Sequence, residues 1–417
     1  MPTGGDLHGR RITIVSIYYA PEETGIAPYA TAVAEHYAAA GAEVTALVGM
    51  PHYPEWDVHP EYRGRLRLRE RRNNVDVRRF RTFVPRTQRA ATRATYEATF
   101  LLHAATAAHV RADLVLAVIP NLSGGVLGAA LAALHRCPFG VIVQDLTGPA
   151  AAQSGMPGGG RVAGVTKALE AWVVRRAEEV AVVSDGFRAY LTEEGVDPER
   201  ITTLRNWSRM PSATRSPHEV RQELGWAPDQ TIVLHAGNMG LKQGLEHVVA
   251  AARTARESHP TVRFVLMGDG NQRRELEQAA EHLSNVSFLP PAYGTDYADT
   301  VAAADVLLVN ERSSVLDMSL PSKLTSYFTS GRPVVAAVAE NGVTAREIEH
   351  SGGGVVAKAE NPAALLAAVA AVAADDQKAA ALAEAGRRYA QEQLSEQAAL
   401  ARAEALARRL LDRPGRD

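Results

Sequence analysis

Apolar runs of strand length alternate with helix-length segments along almost the whole chain, in two series separated by a polar stretch. This alternation constrains the fold more than any single motif, because strand, helix, strand order closes into a parallel sheet with right-handed crossovers. The first series predicts strands at 12–17, 43–48, 76–80, 114–118, 139–144, 179–183 and 201–204, with helices at 26–40, 95–111, 125–136, 162–176 and 186–194. Residues 209–217 carry two prolines and no periodicity, and read as a linker. The second series predicts strands at 231–236, 262–267, 286–289, 306–310, 333–337 and 354–356, with helices at 245–259, 272–282, 297–303 and 322–330. From Asn361 the chain is rich in Ala, Leu, Glu and Arg at helical spacing, which predicts two or three helices. The expected class is therefore α/β, with two doubly wound Rossmann-like domains, 1–207 and 208–385, facing a central cleft. A final helical segment, 386–417, is expected to cross back to the first domain. In such sheets ligands bind beyond the carboxyl ends of the strands.

Composition removes several alternatives. Lys and Arg number 45 against 47 Asp and Glu, a net charge of −2, which does not suit a bulk polycation for nucleic acid. Cys137 is the single cysteine, so no intramolecular disulfide or cysteine-built metal site is available. The apolar run Ile12–Tyr19 is too short for a signal peptide or anchor. The longer one, Leu114–Val143, is broken by Pro120, Asn121, Ser123 and Gly124-Gly125. A cytoplasmic protein without a membrane span is expected.

The richest motif is Gly237-Asn238-Met239-Gly240-Leu241-Lys242-Gln243-Gly244, where a strand runs into a glycine-rich turn and a helix. Backbone amides at a helix start and a lysine suit a phosphate, although an ordinary turn with a surface lysine has the same outline. Gly268-Asp269-Gly270 follows the next strand and offers bare backbone to a base or ribose, or forms a plain tight turn. Glu311 follows a further strand as a candidate acceptor for ribose hydroxyls. Pro321-Ser322-Lys323-Leu324 opens a helix as a second anion site. In the first domain Gly25 joins strand to helix, Asp145 ends a strand as acceptor-binding residue, proton acceptor or turn cap, and Pro51–Trp56 is an aromatic-rich loop. No histidine pair with an acidic partner, Asp-x-Asp pair or Gly-x-Ser-x-Gly elbow is present, so neither a metal site nor a serine triad is expected.

Residues 63–93 hold twelve arginines opposed only by Glu70 and Asp76. Arg63, Arg65, Arg67 and Arg69 alternate on one face of an extended segment. This describes either a surface for anionic lipid or polyphosphate, or an edge strand protected by charge.

Taken together, these motifs resemble the GT-B retaining glycosyltransferases of family 4, within them the subgroup of colanic-acid and O-antigen sugar transferases. The resemblance rests on Tyr18–Gly25, Pro51–Trp56, Gly237–Gly244, Pro321–Leu324 and Ser330–Val335, and spans nearly the whole chain. It implies a nucleotide-sugar donor, UDP-linked first with GDP and dTDP as alternatives, and no metal. Lys242 would sit on the diphosphate and, with Asp145, carry catalysis. Gly237, Asn238, Gly240, Gly268, Asp269, Gly270, Glu311 and the amides of Ser322, Lys323 and Leu324 would bind the donor. Gly25 would line the transferred-sugar side. Two positions depart from the wider family: Asn238 stands where an arginine is usual, and Ser326 and Met318 stand where two glutamates are usual. The implied reaction moves a sugar, with retention, to a lipid-linked or hydrophobic acceptor in envelope or exopolysaccharide assembly at the membrane face. Transfer to a soluble small molecule, 2-epimerisation of a nucleotide sugar, and donor binding without catalysis are the alternatives.

Overall fold

Residues 7–86, 90–146, 159–316 and 322–413 are described in this computed structural model. The first part of the chain contains β1 (Arg11–Ser16), α1 (Ala27–Ala39), β2 (Glu43–Gly49), β3 (Arg67–Arg72), β4 (Val75–Phe80), α2 (Ala90–Ala104), β5 (Leu114–Ile119), α3 (Leu122–His135), β6 (Phe139–Val143), α4 (Gly159–Arg176), β7 (Glu179–Val182), α5 (Phe187–Glu193) and β8 (Ile201–Thr203). The second part contains α6 (Pro217–Glu223), β9 (Thr231–Ala236), α7 (Glu246–Ser258), β10 (Val262–Met267), α8 (Arg273–Ala279), β11 (Val286–Leu289), α9 (Gly294–Ala303), β12 (Val306–Asn310), α10 (Lys323–Ser330), β13 (Val334–Val338), α11 (Val343–Ser351), β14 (Gly354–Lys358), α12 (Pro362–Ala373) and α13 (Asp376–Gln393), followed by α14 (Glu396–Leu411). The chain divides into two compact units: residues up to Asn206 with those from Gln397 onward, and Trp207–Glu396.

The first unit holds a sheet of order β3-β4-β2-β1-β5-β6-β7-β8, the second a sheet of order β11-β10-β9-β12-β13-β14. All neighbours are parallel except β3 and β4. The order reverses between β1 and β5 and again between β9 and β12. Crossovers leave these two strand pairs in opposite directions, and a crevice opens beyond their carboxyl ends. Successive residues of each inner strand serve opposite layers. Ile232 and Leu234 pack with Tyr327, Phe328 and Ile348, while Val233 packs with Val248, Val249 and Leu365. All six residues of β5 are buried, as a strand covered by helices on both faces requires.

The edge strand weighed for the arginine-rich segment is present, while several other details depart from the sequence reading. The arginine-rich segment forms an antiparallel edge hairpin, β3–β4, turned by Asn73 and Asn74 at φ of 43° and 68°. Two successive left-handed residues make the turn whose twist matches the strands, and asparagine tolerates them better than most residues. The helix expected at 95–111 begins at Ala90 and ends at Ala104, continued by a 3-10 turn at Ala105–Ala107. Pro217, placed in the linker, instead opens α6 behind a capping box between Ser216 and Glu219. Helix α11 was absent from the expected elements. Helix α13 runs without a break through the boundary drawn at 385/386.

Helix α14 belongs to the first unit. Ala399, Ala403, Leu406, Ala407 and Leu410 are buried along its inner face. The Tyr37 hydroxyl donates to the Ala403 carbonyl at 2.7 Å, and Arg413 pairs with the buried Glu179 at 2.6 Å.

Candidate active site

The sheet of the second unit reverses at β9 and β12, and both strands run into the segments that the sequence marks. After β9, Gly237 adopts φ 139°, and after β10, Gly268 adopts the same value. A β-carbon at Gly268 would stand 1.9 Å from the Gly237 carbonyl oxygen. The two turns therefore stack backbone on backbone, and only glycine fits between them. Gly237 N donates to Met267 O at 2.8 Å, and Met239 N to Asp269 O at 2.7 Å. Gly240 N donates to the Gln243 carboxamide oxygen at 3.1 Å, and Gly244 N to Leu241 O at 3.3 Å. The three glycine amides expected to meet an anion are thus engaged within the protein. The exposed Asp269 carboxylate accepts from Gly270 N at 2.8 Å and closes its own turn.

Lys242 is exposed in the 3-10 turn Leu241–Gln243, and the segment after β12 holds that turn in place. Asn310 Nδ2 donates to Gln243 O at 2.7 Å and to Gly244 O at 3.0 Å. Arg312 donates from its backbone to Lys242 O at 2.9 Å and from Nε to Leu241 O at 2.7 Å, while its guanidinium pairs with Glu246. Asn310 and Arg312 are positioning residues that sequence reasoning did not assign. Their position two residues apart after a strand was the available signal, but only the β9–β12 pairing puts them beside the lysine turn.

Glu311, between them, is buried and accepts from the Thr344 hydroxyl at 2.8 Å. Burial raises its carboxyl pKa, and the Thr344 hydrogen bond, Lys323 and Lys242 oppose that rise. Lys323 opens α10, and its Nζ lies 3.4 Å from Nε2 of His235, which is fully buried at the end of β9. Burial lowers the Lys323 pKa to about 8, with Glu311 acting the other way. Burial, and then Lys323, hold His235 neutral far below its ordinary range. His235 is a second group that sequence reading missed, since a histidine inside an apolar strand carries no motif. Ser322 is exposed at the start of α10, and the Leu324 side chain is buried in the core, so any role for Leu324 falls to its backbone. Ser326 hydrogen-bonds the Tyr297 phenol on α9. Met318 and Pro321 lie outside the described residues.

In the first unit the loops after β1 and β2 are tied together by Glu22. One oxygen of this buried carboxylate accepts from His52 N at 2.7 Å and Tyr53 N at 2.8 Å, and the other from Tyr19 N at 3.3 Å. His52 is fully buried, its ring 2.7 Å from the Met50 carbonyl and 3.0 Å from the Tyr96 hydroxyl. Tyr18, Trp56 and Tyr96 pack on its ring, and Tyr53 packs edge-on against Tyr18 and Trp56. Gly25 is exposed at φ 63°, and a β-carbon there would meet the Tyr53 ring at 3.2 Å. Asp145 is half-buried, two residues beyond the end of β6.

Two family models match this chain: a glycosyl transferase 4-like domain over residues 24–207 and glycosyl transferases group 1 over residues 217–389. The chain belongs to the GT-B glycosyltransferases of family 4. Among individual proteins it is 28% identical over 343 residues to WcaI of Escherichia coli K12, named as a colanic acid biosynthesis glycosyl transferase, covering 79% of this chain and 84% of that protein. Its fold resembles Anabaena Alr3699/HepE in complex with UDP and glucose, at TM-score 0.65 and 18% identity over 95% of this chain and 97% of the other. Sucrose-phosphate synthase from Thermosynechococcus elongatus matches at TM-score 0.70 and 19% identity, over 96% and 99%.

Proposed function

We propose that this glycosyltransferase moves a sugar, with retention of anomeric configuration, from a nucleoside-diphosphate donor to a lipid-linked acceptor in envelope polysaccharide assembly. The observation that carries the reading is Lys242, exposed on a turn that Asn310 and Arg312 brace at the switch point of the second sheet. In the reaction the bond between the anomeric carbon and the diphosphate oxygen breaks, and its electron pair stays on that oxygen. The acceptor hydroxyl bonds to the anomeric carbon from the same face and passes its proton to the departing diphosphate. Such a step needs anion stabilisation more than a protein nucleophile. A UDP-sugar is the first donor to try, in keeping with the UDP in the Alr3699/HepE complex, and the polysaccharide role follows the likeness to WcaI.

The acceptor side of the reading is supported by the edge hairpin. Leu66, Phe83 and Leu102 are 64%, 45% and 68% exposed. The segments that carry them are tied together, with Arg81 N donating to Leu66 O at 3.0 Å and Phe83 N to the Thr99 hydroxyl at 2.9 Å. Arg65, Arg67, Arg71 and Arg81 are exposed around them, a combination that suits an anionic lipid surface. No described helix is long and apolar enough to cross a membrane. The twelve arginines are not all part of this surface: Arg79 is fully buried against Glu70, and Arg69 and Arg78 both pair with Asp76.

Two measurements test the proposal. Product analysis by NMR, with a UDP-sugar and lipid-linked acceptors, should give a product with the donor's anomeric configuration; an inverted product removes the mechanism. Arg65→Glu with Arg67→Glu should reduce co-sedimentation with phosphatidylglycerol vesicles, and unchanged co-sedimentation removes the membrane surface.

A further inference from the structure

The lysine turn offers an anion fewer donors than its glycines suggest. Gly237, Met239, Gly240 and Gly244 all direct their amides to protein acceptors. Asn238 is neutral, which leaves Lys242 as the single cationic side chain of residues 237–244. A nucleotide-sugar diphosphate carries a charge on each phosphate, and the leaving group gains more as the glycosidic bond breaks. One exposed lysine is a thin counterweight for that charge.

A second cation reaches the same place from another element. The Lys323 side chain extends from the start of α10 to the end of β9, so that a β-carbon on Gly237 would lie 3.5 Å from both its Cε and its Nζ. Its Nζ stands 3.4 Å from His235 Nε2, and that nitrogen is 3.3 Å from the Asn238 carbonyl. The ammonium thus lies against the backbone of the Gly237 turn. We infer that Lys323 is a donor-binding residue through its side chain, its ammonium acting as the second cation on the diphosphate beside Lys242. This rests on the donor reading above, and deepens it: Lys323 supplies from α10 the charge that Asn238 lacks. In the free protein the ammonium lies beside the His235 ring, and Glu311 acts on it through its charge. When a diphosphate arrives, the ammonium gains a stronger partner without having to move far.

The titratable groups facing Lys323 are His235 on β9 and Glu311 after β12, with Lys242 acting on Glu311 from the turn. His235 stays neutral, and burial leaves Lys323 poised near pH 8. The charged form binds the anion, so affinity falls as pH rises through that value, and binding at pH 8 takes up a proton. A lysine that served only to pair with Glu311 would produce neither effect.

The test is isothermal titration of UDP, GDP, dTDP and ADP into wild type, Lys242→Ala, Lys323→Gln and Lys323→Arg, each first checked by its melting curve. For the nucleotide that binds, Lys323→Gln should weaken affinity about tenfold or more, in the range of a lost charge-assisted contact. Wild-type affinity should fall roughly fivefold to tenfold between pH 7.5 and 9.0, Lys323→Arg should be flat over that range, and wild type should take up a proton at pH 8 where neither Lys323 variant does. If Lys242→Ala loses binding while Lys323→Gln stays within twofold of wild type, or if wild-type affinity is flat with pH, the inference is overturned and the donor reading stands. If wild type binds none of the four, both fall.

Discussion

A β-carbon at Gly268 would overlap the Gly237 carbonyl, so this residue's role is first to let two turns stack, and only through that stack to shape a donor site. Gly268→Ala should lower stability by about 2 kcal/mol, a typical overpacking cost, and weaken nucleotide binding with it. Urea unfolding and titration check the pair, and a variant as stable as wild type contradicts the stacking. His52 and His235 are both held neutral, first by burial, and so both resist protonation in the folded state. Their contribution is therefore present above pH 6.5 and lost as pH falls below it, by up to about 1.4 kcal/mol per pH unit for each. Unfolding free energies at pH 7.5 and 5.5 should differ less in His52→Gln than in wild type; an equal difference argues that His52 is not the group responsible. The sequence revealed Lys242 and the glycines because they sit in one contiguous motif. It did not reveal that the Gly237 amide is taken by the Met267 carbonyl on the neighbouring strand. Glu22 was hidden for the same reason: its partners His52 and Tyr53 are 30 and 31 residues away.

Elements buried on both faces were the most legible, because continuous Val, Ile and Leu runs have few other uses. Strands β9, β10 and β12 keep the bounds expected of them, 231–236, 262–267 and 306–310. The β3–β4 hairpin was harder, since a charged edge strand has no apolar period and its arginines also suit a free surface. The signal was there in Asn73-Asn74. Asn74→Ala should reduce stability by about 1 kcal/mol, the left-handed penalty for an ordinary residue, while Asn74→Gly should be close to neutral. Urea midpoints separate these outcomes, and an alanine variant equal to glycine contradicts the turn assignment. Helix α6 was missed because Pro217 was weighed as a linker residue, whereas Ser216-Pro217 followed by Glu219 is also the opening of a capped helix.

For the molecule as a whole, the chain leaves the first unit at Asn206 and returns to it at Gln397. The first unit therefore depends on residues that follow the whole of the second in the chain. Leu406 and Leu410 are buried, and Leu410 packs against Gly140, where a β-carbon would come within 2.7 Å of it. Each buried leucine contributes roughly 1.5–3 kcal/mol. Truncation after Glu396 should abolish the calorimetric transition of the first unit and leave that of the second, and a truncated chain that keeps both contradicts this dependence. At this scale the sequence predicted the α/β class from its two alternating series, and the family models and the two parallel sheets bear that out. The expected return of segment 386–417 to the first domain named no packing surface, and the contacts of α14 with Tyr37, Gly140 and Glu179 needed the structure. The measurement that tests the donor site most directly is titration of UDP, GDP, dTDP and ADP into wild type and Lys242→Ala. One nucleotide should bind wild type with a single site and bind the variant at least tenfold more weakly, about 1.4 kcal/mol. Equal binding to both proteins, or binding of none of the four, would contradict a diphosphate held on the Lys242 turn.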